Sequence, residues 1–213
     1  KIMLTSCHAS EGKCYLSMNL SRTLAQRGKR VALVDADLRR SMINSVYGVR
    51  FEYDKSSGNG LSHFLAGMVG MDEVIYQTDI TNMLMVPVGR EVPNPLALLS
   101  GRHFEELLDT LAKMVDYVIV DAAPMGMVID AAEIAKDCDV ALVAVHYNDV
   151  RRQELWDVKQ QIEQSGCPIL GTVLNQVDYD NYLGRKYYYS KYSKYRGKYY
   201  GRYYTPTHTV DKK

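Results

Sequence analysis

The chain has 213 residues, enough for one α/β domain with a full hydrophobic core and too few to make two comfortable. Its 46% hydrophobic and 24% charged residues exclude wholesale disorder, a collagen-like repeat and a disulfide scaffold, and no apolar run approaches the roughly 18 residues of a membrane span. A formal net charge of +1 conceals a division: residues 1–184 hold 17 Lys and Arg against 24 Asp and Glu, whereas Arg185–Tyr204 hold seven bases and no acid.

Ile2-Met3-Leu4-Thr5 reads as a short buried strand, Ser6–Gly12 as a small polar loop, and Lys13–Arg27 as a helix closed by Gly28. Leu16, Asn19, Leu20, Thr23 and Leu24 recur at helical spacing and predict its packed face. Val31–Val34 predicts a second buried strand running into Asp35-Ala36-Asp37. A turn-rich stretch at Lys55–Gly60, a helix near Leu61–Leu65 and a strand at Met83–Val88 follow. From Arg102, a helix with Phe104, Leu107, Leu108, Leu111 and Met114 on one face leads to the strand Tyr117–Asp121. The pattern then repeats, with a helix at Asp130–Lys136 before strand Val140–Val145 and a helix at Arg151–Gln164 before strand Ile169–Leu174. Strands that are apolar throughout, separated by amphipathic helices, predict a parallel sheet covered on both faces. In such sheets ligands lie at the carboxyl ends of the strands, where Lys13, Asp35, Asp37 and Asp121 all fall.

Ser10-Glu11-Gly12-Lys13-Cys14-Tyr15 lies between a strand and a helix, where a phosphate-binding loop places backbone N–H groups and one lysine around an anion. The pattern G-x-x-x-x-G-K-[ST] is incomplete: Cys7 replaces the first glycine, and Cys14 the Ser or Thr that would hold magnesium. An ordinary turn with a helix-starting lysine fits this segment equally well. Asp35, Asp37 and Asp121 tilt the balance, because carboxylates at buried strand ends are costly to desolvate unless a cation or hydrogen-bond donor meets them. A magnesium ion and Lys13 would do so; each aspartate capping the next helix is the competing explanation. The four cysteines have no C-x-x-C spacing, form no metal pattern with the five histidines and read as reduced thiols; with no membrane-span run and no charged-then-apolar signal segment at the start, the default expectation is a soluble, cytoplasmic protein.

Val31–Arg40, with Asp35 and Asp37 at its centre, resembles the Walker A′ motif of bacterial tyrosine kinases of the capsule and exopolysaccharide family. Tyr117–Pro124 resembles their Walker B strand, with Asp130-Ala131 following at the usual spacing. Gly60-Leu61-Ser62, Phe64–Gly67, Gly89 with Pro93-Asn94-Pro95, Leu98–Ser100, Gly171–Asn175 and the terminal tyrosine cluster are also similar to family blocks. The resemblance spans about residues 2–204 and implies a P-loop NTPase-like α/β fold over 1–184 with a flexible, basic, tyrosine-rich tail at 185–213.

That resemblance implies an ATP- and Mg²⁺-dependent protein-tyrosine autokinase that regulates polysaccharide synthesis or export. Ser10, Glu11, Gly12, Lys13, Cys14 and Tyr15 would bind the β- and γ-phosphates, and Asp37 and Asp121 would hold Mg²⁺, with Cys14 as a weak third ligand. Asp35 would orient or deprotonate the incoming tyrosine, and Asn175 would lie near the adenine. The phosphoacceptors would be Tyr187, Tyr188, Tyr189, Tyr192, Tyr195, Tyr199, Tyr200, Tyr203 and Tyr204. Implied partners are a membrane-bound polysaccharide co-polymerase acting as activator, further copies of the chain, and a cognate tyrosine phosphatase, with no nucleic acid, at the inner face of the cell membrane. Cys14, the bulky Tyr15, and Ala123 in place of a proline depart from the family pattern. The chain starts at the first strand, without the preceding helix that helps the family's subunits form rings, so a fragment is expected.

Taken from its composition, the tail also suits single-stranded nucleic acid through stacking and phosphate contacts. Two further readings stay open for the whole chain. One is an ATPase of the same P-loop class with water as acceptor; the other is a pseudokinase scaffold whose tail binds a partner.

Overall fold

The computed structural model describes residues 1–40, 43, 58–90 and 92–177. The compact unit is Lys1–Gln176; the expected boundary at 184, the tail and the first half of the Lys55–Gly60 turn lie outside the described residues. In chain order the elements are β1 (Ile2–Ser6), α1 (Lys13–Gln26), β2 (Val31–Asp35), α2 (Leu61–Leu65), a 3₁₀ turn (Met71–Glu73), β3 (Tyr76–Gln77) and β4 (Met83–Val86). They continue with α3 (Pro95–Leu99), α4 (Arg102–Met114), β5 (Tyr117–Asp121), α5 (Asp130–Lys136), β6 (Val140–His146), α6 (Arg152–Gln164) and β7 (Ile169–Asn175). The strands form one sheet in the order β3-β4-β2-β5-β1-β6-β7, parallel throughout except for the β3–β4 edge.

The unalternated apolar runs of β1, β2 and β5 are covered on both faces as expected, whereas β7, at the edge of the sheet, alternates and leaves Leu170 and Leu174 exposed. β2 is buried at every position, and its side chains feed two cores, one on each face. On one face Phe104, Leu107, Leu108 and Leu111 of α4 pack with Ile134 of α5 and Val158 and Ile162 of α6. On the other, Met18 and Ala25 of α1 pack with Leu4, Val31, Leu33, Met83, Met85 and Ile119.

Three local expectations are corrected. The residues of α1 that face the sheet are Lys13, Ser17, Met18, Ser21 and Ala25, not the Leu16-Leu20-Leu24 line, whose members are only partly buried while Thr23 is exposed. A stripe of small side chains lets the helix axis approach the sheet, and the leucines fill the flanks. The strand expected through Val88 ends at Val86, and the sequence reading missed both the two-residue strand β3 and the Pro-initiated turn of helix α3.

The crossovers bring the carboxyl ends of β1, β2 and β5 together, with Asp35 and Asp121 directly opposite each other in register. The loop after β5 is sewn to the end of β1. Thr5 donates to the Ala123 carbonyl at 2.8 Å, and the Met125 N–H donates to the Ser6 carbonyl at 2.9 Å. Gly126 completes this seam, since a Cβ there would lie 2.3 Å from the Cys7 carbonyl oxygen. Backbone cannot yield as a flexible side chain would. Gly126→Ala is therefore expected to destabilise the fold by about 1–3 kcal/mol, read as a lowered denaturation midpoint; an unchanged midpoint would show that the seam is loose.

Candidate functional site

The loop between β1 and α1 takes its shape from three devices. Gly12 adopts φ 85°, a left-handed conformation that lets the chain turn into the helix, and a Cβ at this residue would meet Asn175 Nδ2 at 2.0 Å. Glu11 is buried, and its carboxylate accepts the backbone N–H groups of Cys7 at 3.2 Å and His8 at 3.1 Å. From the far edge of the sheet, Asn175 donates to the Glu11 carbonyl at 2.9 Å and Gln176 to the Ser10 carbonyl at 2.8 Å. Ser10 is itself left-handed at φ 67°, a conformation that L-residues other than Gly, Asn and Asp seldom adopt.

Lys13, at the start of α1, is almost wholly buried, with Nζ 3.0 Å from Asp121 Oδ1 and 3.6 Å from Asp37 Oδ2. Burial alone would lower its pKa, but Asp121, Cys14 and Asp37 outweigh that effect and the net shift is upward, so the ammonium stays charged. Asp121 is fully buried; its Oδ1 takes the Lys13 ammonium and the Ser17 hydroxyl, at 2.9 Å, while Oδ2 has no hydrogen-bond partner among the described residues. Asp37 Oδ1 accepts the Arg40 N–H at 3.1 Å, so this carboxylate does cap a turn while also facing Lys13.

These groups stand at a cavity of about 580 Å³. Its wall includes Ser10, Gly12, Lys13, Cys14, Tyr15, Asp37 and Asn175 from the sequence reading, joined by Arg39, Arg40, Met127, Val128 and Gln176. Glu11 points inward to the loop backbone, Asp35 is buried at the end of β2 and Asp121 is buried behind Lys13; none of the three borders the cavity. Burial, with Asp121 close by, pushes the Cys14 thiol up, and burial with Glu11 and Glu154 pushes Cys7 up to about 12. Both remain thiols at neutral pH.

Some contacts carried no sequence signal. Ser17 reads as an indifferent helix residue, yet it reaches Asp121. Asp130 is buried with its carboxylate clasped by Arg39, Nη2 to Oδ1 at 3.0 Å, across 91 residues of sequence.

A family model described as an AAA domain matches residues 2–165. Tyrosine-protein kinase CpsD of Streptococcus pneumoniae is 36% identical over 195 residues, 91% of this chain and 83% of that protein. The chain belongs to the bacterial tyrosine kinase family. The kinase domain of Escherichia coli tyrosine kinase ETK superposes with a TM-score of 0.77 at 30% identity, covering 83% of this chain and 67% of that one. Septum site-determining protein MinD from Pyrococcus horikoshii, solved with Mg-ADP, shares the fold at a TM-score of 0.66 and 23% identity, covering 81% of this chain and 68% of that one. In this member of the family the glycine-poor loop is supported by Glu11 and by the amides of Asn175 and Gln176.

Two substitutions test that account in opposite directions. Ser10→Gly relieves the left-handed residue and should raise the unfolding free energy by about 0.5–1 kcal/mol, net of the chain entropy that glycine adds. Glu11→Gln keeps one acceptor oxygen and turns an NH₂ group toward a buried N–H, and should cost about 1–3 kcal/mol. Denaturant unfolding measures both; the same sign for the two would refute the proposed loop support.

Proposed function

We propose that this chain is a tyrosine autokinase that transfers the γ-phosphoryl group of ATP to tyrosines of its own tail and so regulates capsular or exopolysaccharide synthesis. The observation that carries this reading is the buried Lys13-Asp121-Asp37 cluster at the strand ends, in which Lys13 and Asp37 border a cavity of about 580 Å³ and Asp121 is held against the lysine behind them. The tail supplies the acceptors, since nine of the chain's 17 tyrosines lie between Tyr187 and Tyr204.

The site fits a divalent metal ion. Asp121 Oδ2 is buried without a hydrogen-bond donor among the described residues, and Asp37 faces the same lysine. Asp37 and Asp121 would hold Mg²⁺, whose chemistry is to neutralise phosphate charge during transfer. Cys14 would be a poor ligand, because a neutral thiol is soft and the ion is hard.

The chain's own residues do the remaining work. Lys13 would move its ammonium from the two carboxylates to the β- and γ-phosphate oxygens, and the loop N–H groups that start α1 would point at the same anion. Arg40 on the cavity wall adds a cation at the mouth. Asn175 borders the cavity as the adenine assignment requires, while its amide N–H holds the loop. The phenol oxygen attacks the γ-phosphorus, the bond to the bridging oxygen of ADP breaks, and the phenol proton leaves to a carboxylate or to water. Asp35 does not border the cavity, so in this reading it contributes negative field from the end of β2, opposite Asp121, and does not meet the phenol directly. Aligning a phenol of pKa ~10 supplies much of the activation.

The charge division supports transfer between copies. A tail of +7 is drawn to a body of −7, and each phosphate adds roughly −1.5 to −2, so about four modifications cancel the attraction. Cycling then requires a phosphatase, and a membrane-bound co-polymerase would bring the activity to the membrane. Cys14 favours the alternative of a weakened ATPase or scaffold that uses the tail for partner binding.

Incubation with Mg-ATP followed by phosphosite mapping separates these readings. Phosphate on Tyr187–Tyr204 that is lost at least 100-fold in Lys13→Met is the expected result, with a several-fold gain in Cys14→Ser as the restored hydroxyl reaches the metal. ATP hydrolysis without phosphotyrosine would replace the kinase by the ATPase, and neither product would leave the scaffold.

A further inference from the structure

The Asp121 carboxylate is served by side chains from a single helix. Lys13 Nζ and Ser17 Oγ both reach Oδ1, at 3.0 Å and 2.9 Å, and the Cys14 thiol lies close enough to Asp121 to be perturbed by it. Ser17 stands one helical turn beyond Lys13 and is fully buried, and its hydroxyl also lies 3.0 Å from the Lys13 carbonyl. A single hydroxyl proton serves one acceptor at a time, and an ionised carboxylate is a stronger acceptor than a helix carbonyl already used by the backbone.

These three donors fare differently once a triphosphate is present. The Lys13 ammonium is the group the phosphates draw away. The Cys14 thiol is a weak donor. Ser17 cannot follow the ligand, because it is walled in between α1 and the sheet, and its own carbonyl accepts the Ser21 hydroxyl at 2.8 Å. We propose that Ser17 is a positioning residue for the nucleotide metal: it pins Asp121 through Oδ1, so that the otherwise unserved Oδ2 is presented in one orientation as the metal's oxygen donor. This assignment rests on the Mg-ATP reading above. It places the hydroxyl that this site needs one turn deeper in α1 than Cys14, where it acts through Asp121 and makes no contact with the metal.

A merely structural Ser17, returning a hydrogen bond to its own helix, would affect nucleotide binding with and without metal alike. The two roles separate in a titration of a fluorescent ATP analogue into the parent, Ser17→Ala and Ser17→Thr, in EDTA and across a Mg²⁺ series, with circular dichroism and the thermal midpoint recorded for each variant. Loss of a hydrogen bond that orients a metal ligand costs on the order of 10-fold in metal affinity. Ser17→Ala should therefore raise the half-saturating Mg²⁺ concentration about 10-fold while leaving affinity in EDTA within about twofold, and Ser17→Thr should return the Mg²⁺ midpoint toward the parent. An unchanged Mg²⁺ midpoint in Ser17→Ala, or an equal loss in both conditions, overturns the positioning role alone. A parent that binds the analogue no better with Mg²⁺ than in EDTA overturns the functional reading, and the Ser17 assignment with it.

Discussion

A lysine and two aspartates buried at the ends of parallel strands constrain the rest of this molecule. Charges taken out of water are tolerated only when their partners are held in place, because removal of one leaves the others uncompensated in a medium that screens poorly. Lys13, Asp121 and Asp37 meet this requirement by belonging to three different segments: the start of α1, the end of β5 and the turn beyond β2. The strand order that places β5 between β1 and β2 makes the meeting possible. The cluster is also poised for exchange. A ligand carrying its own negative charges and its own divalent cation could take over the lysine and leave the carboxylates matched, so the energy that holds the cluster would be redirected and not lost.

The loop at this site reaches a phosphate-binding shape with fewer glycines than that shape ordinarily asks for. Glu11 satisfies N–H groups that would otherwise be buried without acceptors, and the amides of Asn175 and Gln176 hold two of its carbonyls. The small residues Ser17, Ser21 and Ala25 let α1 sit close to the sheet, which carries the helix start, and Lys13 with it, into reach of Asp121.

Much of this architecture was legible because unalternated apolar runs bounded by polar turns have one common solution, a covered parallel sheet. The loop, the two aspartates that border or feed the cavity, and Lys13 were legible because glycine, lysine and carboxylates at strand ends are expensive without a ligand. The packed face of α1 was misread, since hydrophobicity marks leucines while close approach is set by serine and alanine. Ser17 and the Arg39–Asp130 pair stayed hidden for a related reason: neither hydroxyl nor ion pair leaves a periodic trace, and their partners lie 104 and 91 residues away. Asp35 and Asp37 look equivalent in the string Asp35-Ala36-Asp37, and only the backbone decides that one is sealed beneath the wall and the other is on it.

The clasp from β7 spans nearly the whole compact unit, joining residues 164 and 166 positions apart. Contacts of such separation close late, after the intervening chain has paid its ordering entropy. On the ribosome the first loop is synthesised early, yet it lacks two of its restraints until the final strand has emerged and docked. The loop's final shape thus arrives with the completion of translation of this domain, and a truncated product stalled before β7 would carry the lysine and both aspartates without the frame that holds them.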